Sequence, residues 1–138
     1  MQLVNADVEA QLQRDSGLSH ADYEILVRLS EQPDRSLRMS DLAARTLFSR
    51  SRASHAVARL EREGWVRREP SPEDRRGLRA VLTDDGFAAL AAAAPGHVDA
   101  VRAALLDPLT AEQVSQLADV ARTIIAASEA RNGQPSAR

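Results

Sequence analysis

One succession of segments constrains this chain more than any other. Residues 49–63 read as a helix opened by Ser49 or Ser51 and stopped at Gly64. Two short runs of β-forming residues, 65–69 and 78–82, then flank a polar, breaker-rich loop at 70–77. Glycine ends a helix because it enters the left-handed region without a Cβ penalty. Paired β runs around Pro, Ser, Asp and Gly read as a hairpin. Upstream, 37–39 is a short extended stretch, and Ser40 is expected to cap a brief helix over 41–46 with Asp41 at its positive end. Two short helices joined by a tight turn form a helix-turn-helix. With the hairpin behind it, the pattern predicts a winged helix-turn-helix over 35–83.

The flanks are helical. Val4, Val8 and Leu12 share one face of a first helix over 1–15, which Ser16-Gly17 interrupts. Ser19 is placed to cap a second helix to about Glu31, ended by Gln32-Pro33-Asp34. After the hairpin, Thr83 caps a long helix with Asp84 and Asp85 in its first turn. Its apolar stripe runs through Phe87, Leu90, Ala94, Val98, Val101 and Leu105, and Pro95-Gly96 is expected to kink or break it. Asp107-Pro108 ends it. Thr110 and Gln113 form a capping box for a last helix striped with Val114, Leu117, Ala121 and Ile124. The expected class is mainly α with a small β-hairpin wing: dimerisation helices at 1–34 and 84–131, the winged unit at 35–83, and a disordered tail at 132–138. Such apolar terminal helices bury themselves poorly alone, so a homodimer with interlocking ends is expected, a compact monomer being the alternative.

Composition narrows the function. Apolar residues make up 43% and aromatics only 3%, the Ala, Leu and Val filling of packed helices. The chain has no cysteine, which excludes disulfides, thiolate zinc sites and thiol sensing. Three scattered histidines argue against a transition-metal site, and no cofactor is expected. No apolar run approaches the roughly 18–20 residues of a membrane span. The first residues carry Asp7 and Glu9 rather than a basic, apolar leader, so a soluble cytoplasmic protein is expected.

The net charge of −2 hides a segregation. All 18 basic residues are arginine. Twelve of them lie between Arg35 and Arg79 against six acids, a balance of +6, leaving −8 for the rest. A basic block inside an acidic chain suggests a face for a polyanion. Arginine simply replacing lysine on every surface is the alternative.

On the 49–63 helix, Ala53, Ala56, Val57 and Leu60 fall on one face, and Ser51, His55, Arg59 and Arg62 on the opposite one. An α-helix fits the DNA major groove, and its N-terminal residues reach deepest. Ser49, Arg50, Ser51, Arg52, Ser54 and His55 are therefore candidate contacts to base edges or nearby phosphates. Arg59 and Arg62 are candidate phosphate contacts, as are Arg38 and Ser40. Glu61 and Glu63 leave open an ordinary salt-bridged face, with Arg59–Glu63 at i,i+4 spacing. At the hairpin tip, Arg75 and Arg76 beside Gly77 suit insertion into a narrow minor groove, with Asp74 holding an arginine or the turn. A bland exposed hairpin is the alternative.

These residues resemble the multiple antibiotic resistance regulator (MarR) family of transcription factors. The resemblance spans roughly residues 18–130. Its most specific pieces are Leu60-Glu61-Arg62-Glu63-Gly64-Trp65-Val66-Arg67-Arg68, then Asp74-Arg75-Arg76-Gly77 and Leu82-Thr83-Asp84-Asp85-Gly86; Leu42-Ala43 and Ser51-Arg52-Ala53-Ser54 add weaker support. It implies a homodimeric winged-helix repressor of pseudo-palindromic operators on double-stranded DNA, released by a small-molecule effector. By position, Arg76 matches the family's wing arginine and Asp74 its aspartate partner. His55 stands where arginine is common, which alters the expected base preference because neutral imidazole offers one donor rather than a fork.

The competing class is a winged-helix protein–protein adaptor, which needs an exposed apolar patch where this chain places arginine and serine. An enzyme is not expected: Ser51 and His55 share a helix face without an orienting acid. His20 and Tyr23 are candidate lining for an aromatic or other apolar effector, with core packing or surface exposure equally open. His97, beside Pro95-Gly96, reads as surface.

Overall fold

The computed structural model describes residues 2–72 and 76–132. Its elements run α1 (Gln2–Ser16), α2 (His20–Ser30), β1 (Ser36–Arg38), α3 (Met39–Thr46), α4 (Arg50–Arg62), β2 (Val66–Pro70), β3 (Leu78–Leu82), α5 (Asp84–Leu105) and α6 (Ala111–Asn132). The fold is mainly helical with a small antiparallel sheet ordered β1-β3-β2. The β2–β3 hairpin is in register from Val66 opposite Leu82 to Pro70 opposite Leu78, and β1 joins through Leu37 opposite Ala80. That first strand turns the expected two-stranded wing into a three-stranded sheet.

Leu18, Ile25, Leu26, Leu29, Leu42, Val57, Leu60, Val66, Leu82 and Leu90 form one buried cluster. The compact unit runs from residue 1 to 100, with a second unit from 101 to 138. Helix α2 supplies Ile25, Leu26 and Leu29 to the same core as Leu42, Val57, Leu60, Val66 and Leu82. In the second unit, α6 leaves Leu117, Val120, Ile124 and Ile125 each at least half exposed.

Local signals account for most element ends. Ser19 and Asp22 close a capping box at the start of α2. Gly64 ends the α4 turn at φ 75°. The Thr83 hydroxyl accepts from Gly86 N at 3.0 Å and donates to Gly64 O at 2.8 Å, tying α5 to the end of the α4 turn. A Cβ on Gly86 would lie 2.1 Å from the Trp65 carbonyl oxygen, so only glycine permits this approach. Thr110 and Gln113 reciprocally cap α6 as expected.

Two further expectations change. Ser40 caps nothing: α3 starts at Met39 with Arg38 at the cap position and no side-chain hydrogen bond there, because β1 delivers the chain directly into the helix. Pro95 does not break α5, which runs unbroken from 84 to 105. An interior proline costs about 3 kcal/mol, and the alanine-rich turn before it has the highest helix propensity available. Finally, α6 continues to Asn132, and the rest of the expected tail lies outside the described residues. No helix among the described residues is long and apolar enough to cross a membrane.

Candidate nucleic-acid interface

Helix α4 is set by its buried face and its N-cap. Ala53, Ala56, Val57 and Leu60 are at most 1% exposed, and Ser49 accepts a hydrogen bond from Arg52 N at 3.1 Å. Between α3 and α4 the chain turns at Leu47, which holds a left-handed φ of 56° and is 93% exposed. This geometry leaves Arg50, Ser51, Arg52, His55, Arg59 and Arg62 exposed or partly exposed and Ser54 half-buried. The positive end of the helix dipole adds to the field at Ser49–Arg52.

An open groove of about 440 Å³ connects the start of α3, the first half of α4 and the wing. Arg38, Ser40, Arg50, Ser54 and Arg76 line it together, so five of the sequence-predicted residues meet on one surface. Arg68 of β2 joins them, and no sequence signal singled it out. Asp74 and Arg75 lie outside the described residues. At the base of the wing tip, Ser71 N donates to Gly77 O at 2.8 Å.

The arginines divide by partner. Arg45, Arg50, Arg52 and Arg62 have no carboxylate partner among the described residues. Arg52 lies 4.1 Å from the centre of the Phe48 ring, a cation–π contact. Arg45 was not singled out from the sequence. It sits exposed in the last turn of α3.

Others are tied down. Arg59 pairs not with Glu63 but with Asp22 of α2, at 2.8 Å. Glu61 takes Arg68 instead of a neighbour on its own helix: Arg68 Nη2 is 2.6 Å from Glu61 Oε2, and Arg68 N donates to Glu61 Oε1 at 2.9 Å. The Arg68 hydrogen bonds hold the Glu61 carboxyl below its ordinary pKa. Arg79 pairs with Asp34 at 2.6 Å, and Arg35 with Asp84 at 3.0 Å while lying over the Phe87 ring.

His20 and Tyr23, the candidate effector residues, lie near each other through a third residue. The His97 ring is 4.3 Å from Tyr23 and 6.1 Å from His20, centre to centre. His97 is thus half-buried against α2, not a plain surface residue. An unbroken α5 carries it there, which the expected break at Pro95 obscured. Burial, then the neighbouring His20, pushes its pKa down, and its Nδ1 is buried without a hydrogen-bond partner among the described residues. Burial raises the Tyr23 pKa.

A helix-turn-helix whose second helix is exposed and basic, backed by a hairpin with an arginine at its tip, is a winged helix-turn-helix module. A model of the MarR family matches residues 16–77. The crystal structure of Sco3205, a MarR family transcriptional regulator from Streptomyces coelicolor in complex with DNA, is 50% identical. It covers 99% of this chain and 83% of that one, with a TM-score of 0.83. AbsC, a MarR family transcriptional regulator from the same organism, is 43% identical over 96% of this chain and 87% of its own, at a TM-score of 0.82. The chain belongs to the MarR family. Among curated relatives, the transcriptional regulator PecS of Dickeya dadantii is 31% identical over 101 residues, 72% of this chain and 60% of PecS. The transcriptional repressor YetL of Bacillus subtilis is 32% identical over 64% of this chain and 53% of YetL. The matched stretch thus spans less than two thirds of either relative.

Proposed function

We propose that this chain is a cytoplasmic DNA-binding transcriptional regulator, a repressor that acts as a homodimer on pseudo-palindromic operators and turns over no substrate. The observation that carries this reading is the exposed first half of α4. There Arg50 and Arg52 have no carboxylate partner among the described residues, and Arg50 shares a groove with the wing. Ser49, Ser51, Ser54 and His55 meet base edges or adjacent phosphates. Arg38, Ser40 and Arg62 contact phosphate, and Arg76, with Asp74 and Arg75 beside it, enters the minor groove. The crystallised DNA complex of Sco3205 supports the same use of the fold. Exposed Leu117, Val120, Ile124 and Ile125 on α6 support self-association, since an apolar stripe of this kind is costly in water. The terminal helices, 1–34 and 84–131, carry dimerisation, and the winged unit, 35–83, carries DNA. An aromatic or other apolar effector binds beside Tyr23, His20 and His97, where a buried imidazole nitrogen lacks a partner among the described residues. Selection of bound duplexes from a random pool tests the reading. A twofold-symmetric motif is expected, with half-sites one helical turn apart, about 34–36 Å; recovery of unrelated sequences would refute it.

A further inference from the structure

Resting on the DNA-binding reading, we infer that Arg59 is a positioning residue, which, held by Asp22, fixes the rotation of α4 instead of contacting DNA. Asp22 is 7% exposed, and both of its carboxylate oxygens accept from side chains of the protein. Its Oδ2 accepts from the Ser19 hydroxyl at 2.7 Å, from Ser19 N at 3.4 Å, which closes the α2 capping box, and from Arg59 Nε at 3.4 Å. Its Oδ1 accepts from Arg59 Nη2 at 2.8 Å. One carboxylate thus joins the start of α2 to the last turns of α4 across 37 residues of sequence. A planar guanidinium gripped through two nitrogens has a fixed orientation, which a single ammonium contact lacks.

Two residues further on, Glu61 holds Arg68 of β2. At about 100° per residue, Arg59 and Glu61 lie on opposite flanks of the buried Ala53, Ala56, Val57, Leu60 face. That face is half alanine and offers little shape to resist rolling. The two ties on either side of it resist rotation in both directions. They thereby set where Ser51, Arg52 and His55 point.

The test measures binding of the full chain to a duplex recovered by selection and to a scrambled duplex, across a salt series. The variants are Asp22→Asn, Arg59→Gln, their double, and Arg59→Lys. Asparagine keeps an acceptor for the capping box; lysine keeps the charge and loses the fork. Positioning predicts that each single variant, Arg59→Lys included, weakens operator binding by about tenfold, and that the double is no worse than either single. Scrambled-duplex affinity and the salt slope stay unchanged. A phosphate contact predicts the reverse: Arg59→Lys binds normally, Arg59→Gln weakens both duplexes and flattens the slope by about 0.9 per protomer, and Asp22→Asn loses nothing. That pattern, or additive single variants, overturns the positioning role alone. Absence of any sequence preference in the unaltered protein overturns the functional reading and the positioning role together.

Discussion

The two halves of α4 carry two arginines each, in different surroundings. In the first half, Arg50 and Arg52 face solvent without a carboxylate among the described residues, and Arg52 rests on the Phe48 ring. In the second, Arg59 is gripped by Asp22 and Glu61 by Arg68, while Arg62 has no carboxylate partner among the described residues. A guanidinium already satisfied by a buried carboxylate gains little from a phosphate, because it must first give up a desolvated partner. An exposed one loses only water and loosely held counterions. The contrast teaches that arginine count marks a basic region, whereas partner assignment separates the contacting arginines from those that shape the surface.

The most damaging change to this contrast is Arg50→Ala with Arg52→Ala. Operator affinity is expected to fall about 100-fold, with a salt slope shallower by roughly 0.9 for each phosphate left without its arginine. Fluorescence anisotropy across a salt series measures both, and an unchanged slope would remove these residues from phosphate binding. Next comes Glu61→Gln, which strips Arg68 of its anionic partner. A loss of about 1 kcal/mol in urea unfolding is expected, modest because both side chains are more than a quarter exposed. Operator affinity should fall with it if this tie orients the helix.

Phe48→Leu keeps the bulk beneath Arg52 and removes the π face. A cation–π contact at an exposed site is worth about 0.5–1 kcal/mol, so affinity should drop by roughly two- to fivefold with the salt slope unchanged. Equal affinity would show that Arg52 needs no platform.

The smallest effect concerns His97, which belongs to neither half of α4. Its pKa is lowered in the folded chain, so the unfolded chain binds more protons in the window just below the ordinary histidine value. Its contribution is therefore complete above about pH 6.5 and is lost as pH falls through the depressed value. The melting temperature should decline between about pH 7.5 and 5.5, and His97→Gln should flatten that decline. A variant with the same slope as the unaltered protein would assign the decline to other groups.

Much of the fold was legible because its signals are local. Gly64, Thr83 and the Thr110–Gln113 pair each act within a few residues of themselves, and each behaves as its chemistry dictates. The helix periodicity likewise separated the Ala53–Leu60 face from the exposed one. The failures were non-local or competitive. Ser40 had cap chemistry, but the adjoining strand moved the helix start one residue upstream of it. Pro95 had breaker chemistry and was outweighed by its alanine-rich context. For the site, five of the residues that gather around the groove could be named from the sequence, yet Arg68 could not, and the partners of Arg59, Arg68 and His97 lie on other elements. No spacing rule reaches them.

The central claim, that the unpaired basic half of α4 and the wing together hold a specific duplex, is tested most directly by one titration. The unaltered protein is bound to a selected twofold-symmetric duplex and to its scrambled counterpart from about 50 to 200 mM salt. The account predicts tighter binding to the symmetric duplex at every salt concentration, with a slope near −7 if each protomer of a dimer neutralises about four phosphates. Equal affinity for the two duplexes throughout the series would contradict it.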